Sequence, residues 1–515
     1  MASFVYTWEN LTYSVDRVEG VFWKPKKSQR LIIDNVSGNA FSGSLIAIMG
    51  ESGCGKTTFL KLISAQMKGG GILKMNGRVI TGAILRHNSI YLQQNDVFFE
   101  NLTLDEHIRF MAAMSLKKHS EQRNMEASTL LKNLSLEKSK HVKIKHLSGG
   151  EKRKLSLASN LLLDPFILFC DEPTSGLDSF NAISMVKTLE RLTETGKLIF
   201  MTVHQPSSQI FDLFSNIILL SSNGKIIFQG TTDNAKSFFE TQQIICPHSY
   251  NPSDFYIKNL SIKSEIDEKR INSMLQYYKE HYEVKINFSE AEYDGIQLKY
   301  RENKKSFFFE INWLIWRVFI LLGRNIREYY SGLLVNMIAA VIIGIIYSKV
   351  TLTDASSVQN IQGVLLLVVS ELIFHQLCQN LYTFPQEIDV FVQEKALYTS
   401  LPYYLSKIVS LIPFALIHSG GFLLIYFIFL PFLTKIDLFL EMMLILFVTC
   451  LSGSSLGLCL SAIFSSLESI NLFLVPFQLV CLVLSGLWFI GLILIKLEIV
   501  RETVAQHALK MAQRY

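Results

Sequence analysis

The sequence predicts an α/β domain followed by an all-α domain that crosses a membrane several times. Three observations carry this reading. Composition breaks near Ser331: residues 1–305 mix apolar and charged side chains as a soluble domain does, whereas residues 331–380 hold only Lys349, Asp354 and Glu371 as charged residues. Runs long and apolar enough to cross about 30 Å of hydrocarbon recur at 332–350, 361–381, 408–430, 438–464 and 470–495. Residues 45–63 read as strand, glycine-rich loop and helix.

The averages over 515 residues fit two unlike parts. Hydrophobic residues make up 49 % and charged residues 18 %, which argues against a disordered chain and against an entirely water-soluble one. Forty-nine basic and 44 acidic residues leave a net charge of +5, no sign of a nucleic-acid partner. Seven scattered cysteines form no CxxC pair, which speaks against a disulfide scaffold and a zinc site. The opening MASFVYTWENLTYSVDR lacks the basic start and apolar run of a signal peptide. The α/β domain, residues 1–258, is therefore expected in the cytosol, with its cysteines reduced.

Within that domain, SLIAIM reads as a buried strand and TTFLKLIS as a helix. Between them Gly50-Glu51-Ser52-Gly53-Cys54-Gly55-Lys56-Thr57 fits G-x-x-x-x-G-K-[ST], the phosphate-binding loop of a P-loop NTPase. Glycines let successive backbone N–H groups turn toward phosphates, and the helix N-terminus adds its positive dipole end. Lys56 is expected to reach the β- and γ-phosphates and the Thr57 hydroxyl to bind Mg²⁺.

Further along, FILFC reads as a buried strand ending in Asp171 and Glu172. Ligands bind beyond the carboxyl ends of strands in such sheets. Asp171 suits a Mg²⁺ shell, and Glu172 is placed to orient or deprotonate a water. Leu147-Ser148-Gly149-Gly150-Glu151 precedes an apolar-periodic helix; it is either an ordinary capped start or an anion site. KLIFMTV is another buried strand that ends at His204, and Gln94 follows the strand SIYL. Each of these two is unremarkable alone.

The membrane part is preceded by a polar stretch, 259–305, read as a linker, and by a connecting helix, 306–330. In that helix Glu310, Arg317 and Arg324 recur every seven residues while Trp313, Trp316 and Phe319 fall elsewhere, as in a helix lying at a membrane surface, with a plain buried helix as the alternative. The membrane domain is expected over 331–497. Glu371 and His375, four apart in the second run, share a helical face; they are either substrate contacts or an interhelical polar contact.

Order and spacing bind the motifs together. The glycine loop, Gln94, LSGGE, Asp171-Glu172, SGLD and His204 follow one another as in the nucleotide-binding domain of an ABC transporter, which residues 1–255 resemble. The order of domains, VHQPSSQIFDLFSNIILLSSNGKIIFQG, the run Asn251 to Tyr256 and FPQEIDVFVQEKALYTSLPYYLSKIVSLIP resemble the G subfamily of white/scarlet/brown-like half-transporters. The resemblance implies two such chains paired head to tail, as a homo- or heterodimer, with ATP and Mg²⁺ between them. Gly50, Glu51, Ser52, Gly53, Cys54, Gly55, Lys56, Thr57, Thr58 and Gln94 would hold one nucleotide, and Ser148, Gly149 and Gly150 would touch the partner's. Thr57, Gln94 and Asp171 would be the metal residues, Glu172 the catalytic base and His204 its switch partner. Asp178 would sit at the dimer interface, and Tyr13, with Trp8 and Phe22 as competitors, would stack on adenine.

The resemblance further implies a multi-pass protein of the plasma membrane or an intracellular vesicle membrane, surrounded by lipid and moving a small lipophilic or pigment-precursor substrate. Glu387, Asp389, Glu394 and Lys395 would either couple the spans to the nucleotide domain or be solvated loop charges. The family has six spans, and here the likeness ends near Leu487, before a charged tail at 498–515. A sixth span is therefore expected to be missing, through splicing, a gene-model error or true truncation. The competing expectation is a truncated subunit that binds ATP and pairs with a full-length relative without transporting.

Overall fold

The computed structural model describes residues 3–19, 26–247, 250–262, 264–282, 305–348, 355–429, 436–464, 468–470, 472–474, 476 and 480. Phe22, most of the fifth apolar run and the tail 498–515 lie outside the described residues. The chain divides into two units, Met1–Lys304 and Lys305–Tyr515.

The first unit is built on two sheets. Long antiparallel strands β1 (Val5–Glu19) and β2 (Lys26–Phe41) pair with each other, and β4 (Gly70–Met75) and β5 (Arg78–Val79) extend them in the order β2-β1-β4-β5. The second sheet has the order β10-β9-β3-β8-β7-β6, from β3 (Leu45–Gly50), β6 (Ser89–Leu92), β7 (Ile167–Cys170), β8 (Leu198–Thr202), β9 (Asn216–Leu220) and β10 (Ile226–Thr231). All its neighbours are parallel except β9 and β10. β3, β7 and β8 are buried at every residue. Strands covered on both faces are continuous apolar runs, which is why they were visible in the sequence.

One aromatic cluster locks the two sheets around the helix Lys56–Ile63. Phe169 and Phe200 stack with centroids 5.4 Å apart, and Trp8 meets Phe59 and Phe200 edge-on at 5.8 Å each. The Tyr6 hydroxyl donates to the carbonyl of Ile63 at the end of that helix. The phosphate-loop helix is therefore anchored by β1, far from it in sequence.

The stretch read as a linker carries a helix, Glu265–His281. Ser264 and Asp267 form its capping box, and Ile271, Met274 and Tyr278 are buried. Tyr278 and Tyr282 pack against Phe228 and Phe238 of the first unit. Three apolar residues at helical spacing suffice here, because the ready-made aromatic surface supplies the rest of the packing.

The second unit is helical: Phe307–Arg324, Ile326–Tyr347, Ala355–Asn380, Thr383–Glu394, Ser400–Phe429 and Ile436–Ile463. Among the described residues four stretches are long and apolar enough to cross a membrane: Tyr329–Tyr347, Ile361–Glu394, Ser400–Phe429 and Ile436–Ile463. Helix 436–463 packs closely on helix 355–380 through two glycines four residues apart. A Cβ on Gly453 would lie 2.7 Å from the Ile373 carbonyl oxygen, and one on Gly457 2.6 Å from that of Leu377. This is the small-residue contact that lets membrane helices approach backbone to backbone.

The connecting helix differs from the surface helix expected. Its polar stripe faces inward. Arg317 is 1 % exposed and pairs with buried Glu394 at 2.6 Å, and the Tyr398 hydroxyl donates to the same Glu394 oxygen at 2.6 Å. Buried Glu310 accepts from the Thr399 N–H and hydroxyl at 3.2 Å each. Phe308 and Phe319 are exposed instead. Glu387 is likewise engaged, by Lys407 at 2.6 Å and by the Tyr403 hydroxyl. Glu387 and Glu394 are thus internal struts of this unit and not solvated loop charges. A strict seven-residue charge repeat marks one helix face, and it is silent on whether that face meets water or a matching set of partners.

Two outcomes follow. Arg317→Met or Glu394→Met alone strands a buried charge and should cost about 3–5 kcal/mol, whereas the double variant recovers part of that loss; melting of the detergent-solubilised chain checks this. Gly453→Leu should separate the two membrane helices and lower the melting temperature more than Gly323→Leu, since a Cβ at Gly323 has open space.

Candidate nucleotide site

The site lies beyond the carboxyl ends of β3, β7 and β8. β3 runs into the loop 50–55, and the loop runs into helix Lys56–Ile63. Gly53 and Gly55 have φ of +81° and +99°, conformations that favour glycine. Gly50 is glycine for space: a Cβ there would stand 2.5 Å from the Leu220 carbonyl oxygen and 2.7 Å from the Cys54 sulfur. Lys56 is buried and its Nζ donates to the carbonyls of Gly50 and Glu51 at 3.0 Å each, so the ammonium is curled back over the loop. Cys54 turns its side chain into the core, where burial pushes the thiol pKa up despite nearby Lys56. The Glu51 carboxylate is held by the Ser222 hydroxyl at 2.7 Å. Ser52 and Gly53 are exposed, while Thr57 and Thr58 are half-buried.

Asp171 joins three strands to this loop. Its Oδ1 accepts from the Thr57 hydroxyl at 3.0 Å and the Thr202 hydroxyl at 2.8 Å, and its Oδ2 accepts from Tyr91 at 2.9 Å. Burial, with Asp171 beside it, drives the Tyr91 phenol well above its ordinary pKa, so it remains a donor. Glu172 follows at φ +45°, its N–H bonded to Thr202 Oγ1 at 2.8 Å. Its Oε2 accepts from Gln94 Nε2 at 2.9 Å. His204 is exposed just past β8, beside Gln205 at φ +51°.

Ser148 caps the helix Gly149–Leu161 in a capping box with Glu151. Burial alone would raise the Glu151 pKa, but the Ser139 hydroxyl and the Ser148 N–H and hydroxyl hold it below the usual carboxylate range. Ser148 and Gly149 are exposed. Gly150 is buried against Asn181, whose side chain a Cβ would crowd at 3.0 Å. Asp178 caps the helix Ser179–Glu194, accepting from the Asn181 N–H at 2.8 Å and its side-chain amide at 2.6 Å.

Thr57, Asp171, Glu172 and Gln94 are therefore brought together, and Ser148 and Gly149 stand on a separate exposed helix start. Trp8 does not qualify as an adenine platform, being fully buried in the core; Tyr13 remains half-buried on β1. Thr202, Tyr91 and Arg153 escaped sequence reasoning, since nothing in their local pattern marks them. In the membrane unit His375 hydrogen-bonds with Gln379 of its own helix at 3.1 Å, and its ring lies 5.2 Å, centroid to centroid, from that of His418 on helix 400–429. A hydroxyl and a carboxylate beside a lysine-bearing loop are hard oxygen donors that suit Mg²⁺ shared with phosphates. Among the described residues no three His, Cys, Asp or Glu side chains gather as a self-sufficient metal cage.

Residues 33–175 match the ABC transporter family model, and residues 310–490 and 204–305 match two models of ABC-2 type transporters. Protein white of Drosophila melanogaster is 32 % identical over 434 residues, 78 % of this chain and 62 % of its own length. This chain therefore spans less than two thirds of that relative. Protein scarlet of the same species is 31 % identical over 486 residues, 89 % of this chain and 72 % of its own length. The broad substrate specificity ATP-binding cassette transporter ABCG2 of Rattus norvegicus is 28 % identical over 509 residues, 89 % and 75 % respectively. The chain is a multi-pass membrane protein with a cytosolic nucleotide-binding domain, and it belongs to the ABC transporter family, among the G-subfamily half-transporters with white and scarlet.

Proposed function

We propose that this chain hydrolyses ATP to move small lipophilic or pigment-precursor molecules across its membrane, working as a homo- or heterodimer of half-transporters. The observation that carries the reading is the meeting of Thr57 with Asp171 and of Gln94 with Glu172 at one sheet edge. The description of the rat relative as a broad-specificity transporter supports a small-molecule cargo.

The loop N–H groups and Lys56 bind the phosphates of ATP, in line with the helix dipole of Lys56–Ile63. Mg²⁺, held by Thr57 and Asp171 and approached by Gln94, would neutralise phosphate charge. Glu172 accepts a proton from the attacking water, whose oxygen bonds to the γ-phosphorus as ADP leaves. Gln94 orients Glu172 through their hydrogen bond, and His204 lies at the γ-phosphate side as its switch partner. Ser148, Gly149 and Gly150 present a capped helix start to the partner's nucleotide. Because each nucleotide touches both chains, binding favours the closed pair and hydrolysis releases it.

Replacing Glu172 by Gln removes the proton acceptor and keeps the hydrogen-bonding shape. Turnover should fall by about two orders of magnitude or more while ATP stays bound. Measurement of phosphate release and of retained nucleotide on the purified chain checks both, and unchanged release would sink the assignment of Glu172.

A further inference from the structure

We propose that Arg153 is a positioning residue that makes this chain's own hydrolytic centre depend on the nucleotide held by the partner chain. The inference rests on the reading above, in which Ser148 to Gly150 meets the partner's ATP.

Arg153 lies five residues beyond the cap Ser148, about 7.5 Å along the same helix at 1.5 Å per residue. It is 6 % exposed and its guanidinium spreads over five acceptors. Nη1 donates to the Gln93 carbonyl at 2.6 Å and to Asp96 Oδ1 at 3.0 Å. Nη2 donates to the carbonyls of Asp171 at 3.1 Å and Glu172 at 3.2 Å, and Nε to that of Pro173 at 3.3 Å. Four of the five acceptors are main-chain carbonyls.

Those carbonyls belong to the two segments that carry Gln94 and Glu172. Gln93 immediately precedes Gln94, and Asp171, Glu172 and Pro173 bracket the proposed base. The fork thus holds the main chain on both sides of the Gln94–Glu172 hydrogen bond. Glu172 occupies a left-handed conformation that costs about 1–3 kcal/mol for a non-glycine residue and persists only when its surroundings fix it. Its N–H is fixed by Thr202 and its carbonyl by Arg153. The planar guanidinium has five N–H donors in rigid array, so the helix and both loops move as one body. A shift of the helix start on engaging the partner's phosphate is carried to Glu172 through this fork. By linkage the effect is reciprocal: a correctly set Glu172 loop favours engagement of the helix start.

Lysine keeps the charge but offers three donors from one point and cannot span the five acceptors. Arg153→Lys is the test, made on the purified full chain in lipid nanodiscs. ATP hydrolysis is followed against ATP concentration, and binding of a fluorescent non-hydrolysable ATP analogue is measured beside it. In the unaltered chain the Hill coefficient of hydrolysis should exceed 1. Arg153→Lys should lower kcat at least tenfold and bring the Hill coefficient to about 1, with analogue affinity within about twofold. A fall in kcat with the Hill coefficient preserved would mean a purely local role and overturn the inference, as would unaltered kcat. Should Arg153→Lys fail to fold, Asp96→Asn loosens one of the five contacts and should shift both readouts the same way by a smaller factor; an unaltered Hill coefficient there overturns the inference. Failure of the ATPase reading shows separately, as equal analogue binding by Lys56→Ala and the unaltered chain, and it removes the inference with it.

Discussion

A carboxylate that is 4 % exposed must have its oxygens filled, and Asp171 fills them from three separate segments. Thr57 comes from the phosphate-loop helix, Tyr91 from β6 and Thr202 from β8. The arrangement of the nucleotide site depends on this junction. It sets the height of the loop against the sheet, and through Thr202 it also receives the N–H of Glu172. The parallel register of β3, β8 and β7, with Ile48 opposite Thr202 and Cys170 opposite Met201, delivers these groups to one edge. An unfilled oxygen at this depth would cost about 1–3 kcal/mol, enough to fix the register.

The same constraint shapes the helical unit. Its buried charges find internal partners: Arg317 pairs with Glu394 and Lys407 with Glu387, while the hydroxyls of Tyr398, Thr399 and Tyr403 donate to Glu394, Glu310 and Glu387. Phe307, Phe308 and Phe319 of the connecting helix take the outer positions. Gly453 and Gly457 solve the complementary problem, since between lipid-immersed helices close contact replaces the hydrophobic effect as the attraction.

These facts mark what the amino-acid sequence discloses. The glycine loop, the Asp171-Glu172 pair and the buried strands are legible because backbone conformation and burial act on neighbouring residues. The helix start at Ser148 is legible for the same reason: a capping box is a three-residue relation. Tyr91, Thr202 and Arg153 are illegible because their importance is the identity of an acceptor many residues away. The inward charges of 307–324 are half legible: the repeat is local, the partners are not. The helix Glu265–His281 offered Ser264 and Asp267 as a start and Ile271, Met274 and Tyr278 as a stripe, but its density of charge hid them.

Two strained turns stand where the chemistry is proposed. Of the described non-glycine residues with positive φ, Asn10, Asn35, Asn76 and Asp164 are types whose short polar side chains tolerate that region. Ala65, Ser135, Glu172, Gln205 and Gln243 are not, and of these Glu172 and Gln205 each stand just past the end of a neighbouring parallel strand, β7 or β8. Both turns are clamped from a distance. Thr202 and Arg153 hold Glu172, and the carbonyl of Pro206, next to Gln205, accepts from Asn251 Nδ2 at 2.7 Å and from the buried Ser253 hydroxyl at 3.0 Å. The segment Asn251 to Ser253, which the sequence offered only as a family likeness, thus acquires a physical purpose: it holds the turn that carries His204. Two strained turns on adjacent strands, each held by side chains from another part of the domain, give a site whose geometry follows the position of those remote segments. That suits an ATPase in which hydrolysis must wait for movement elsewhere.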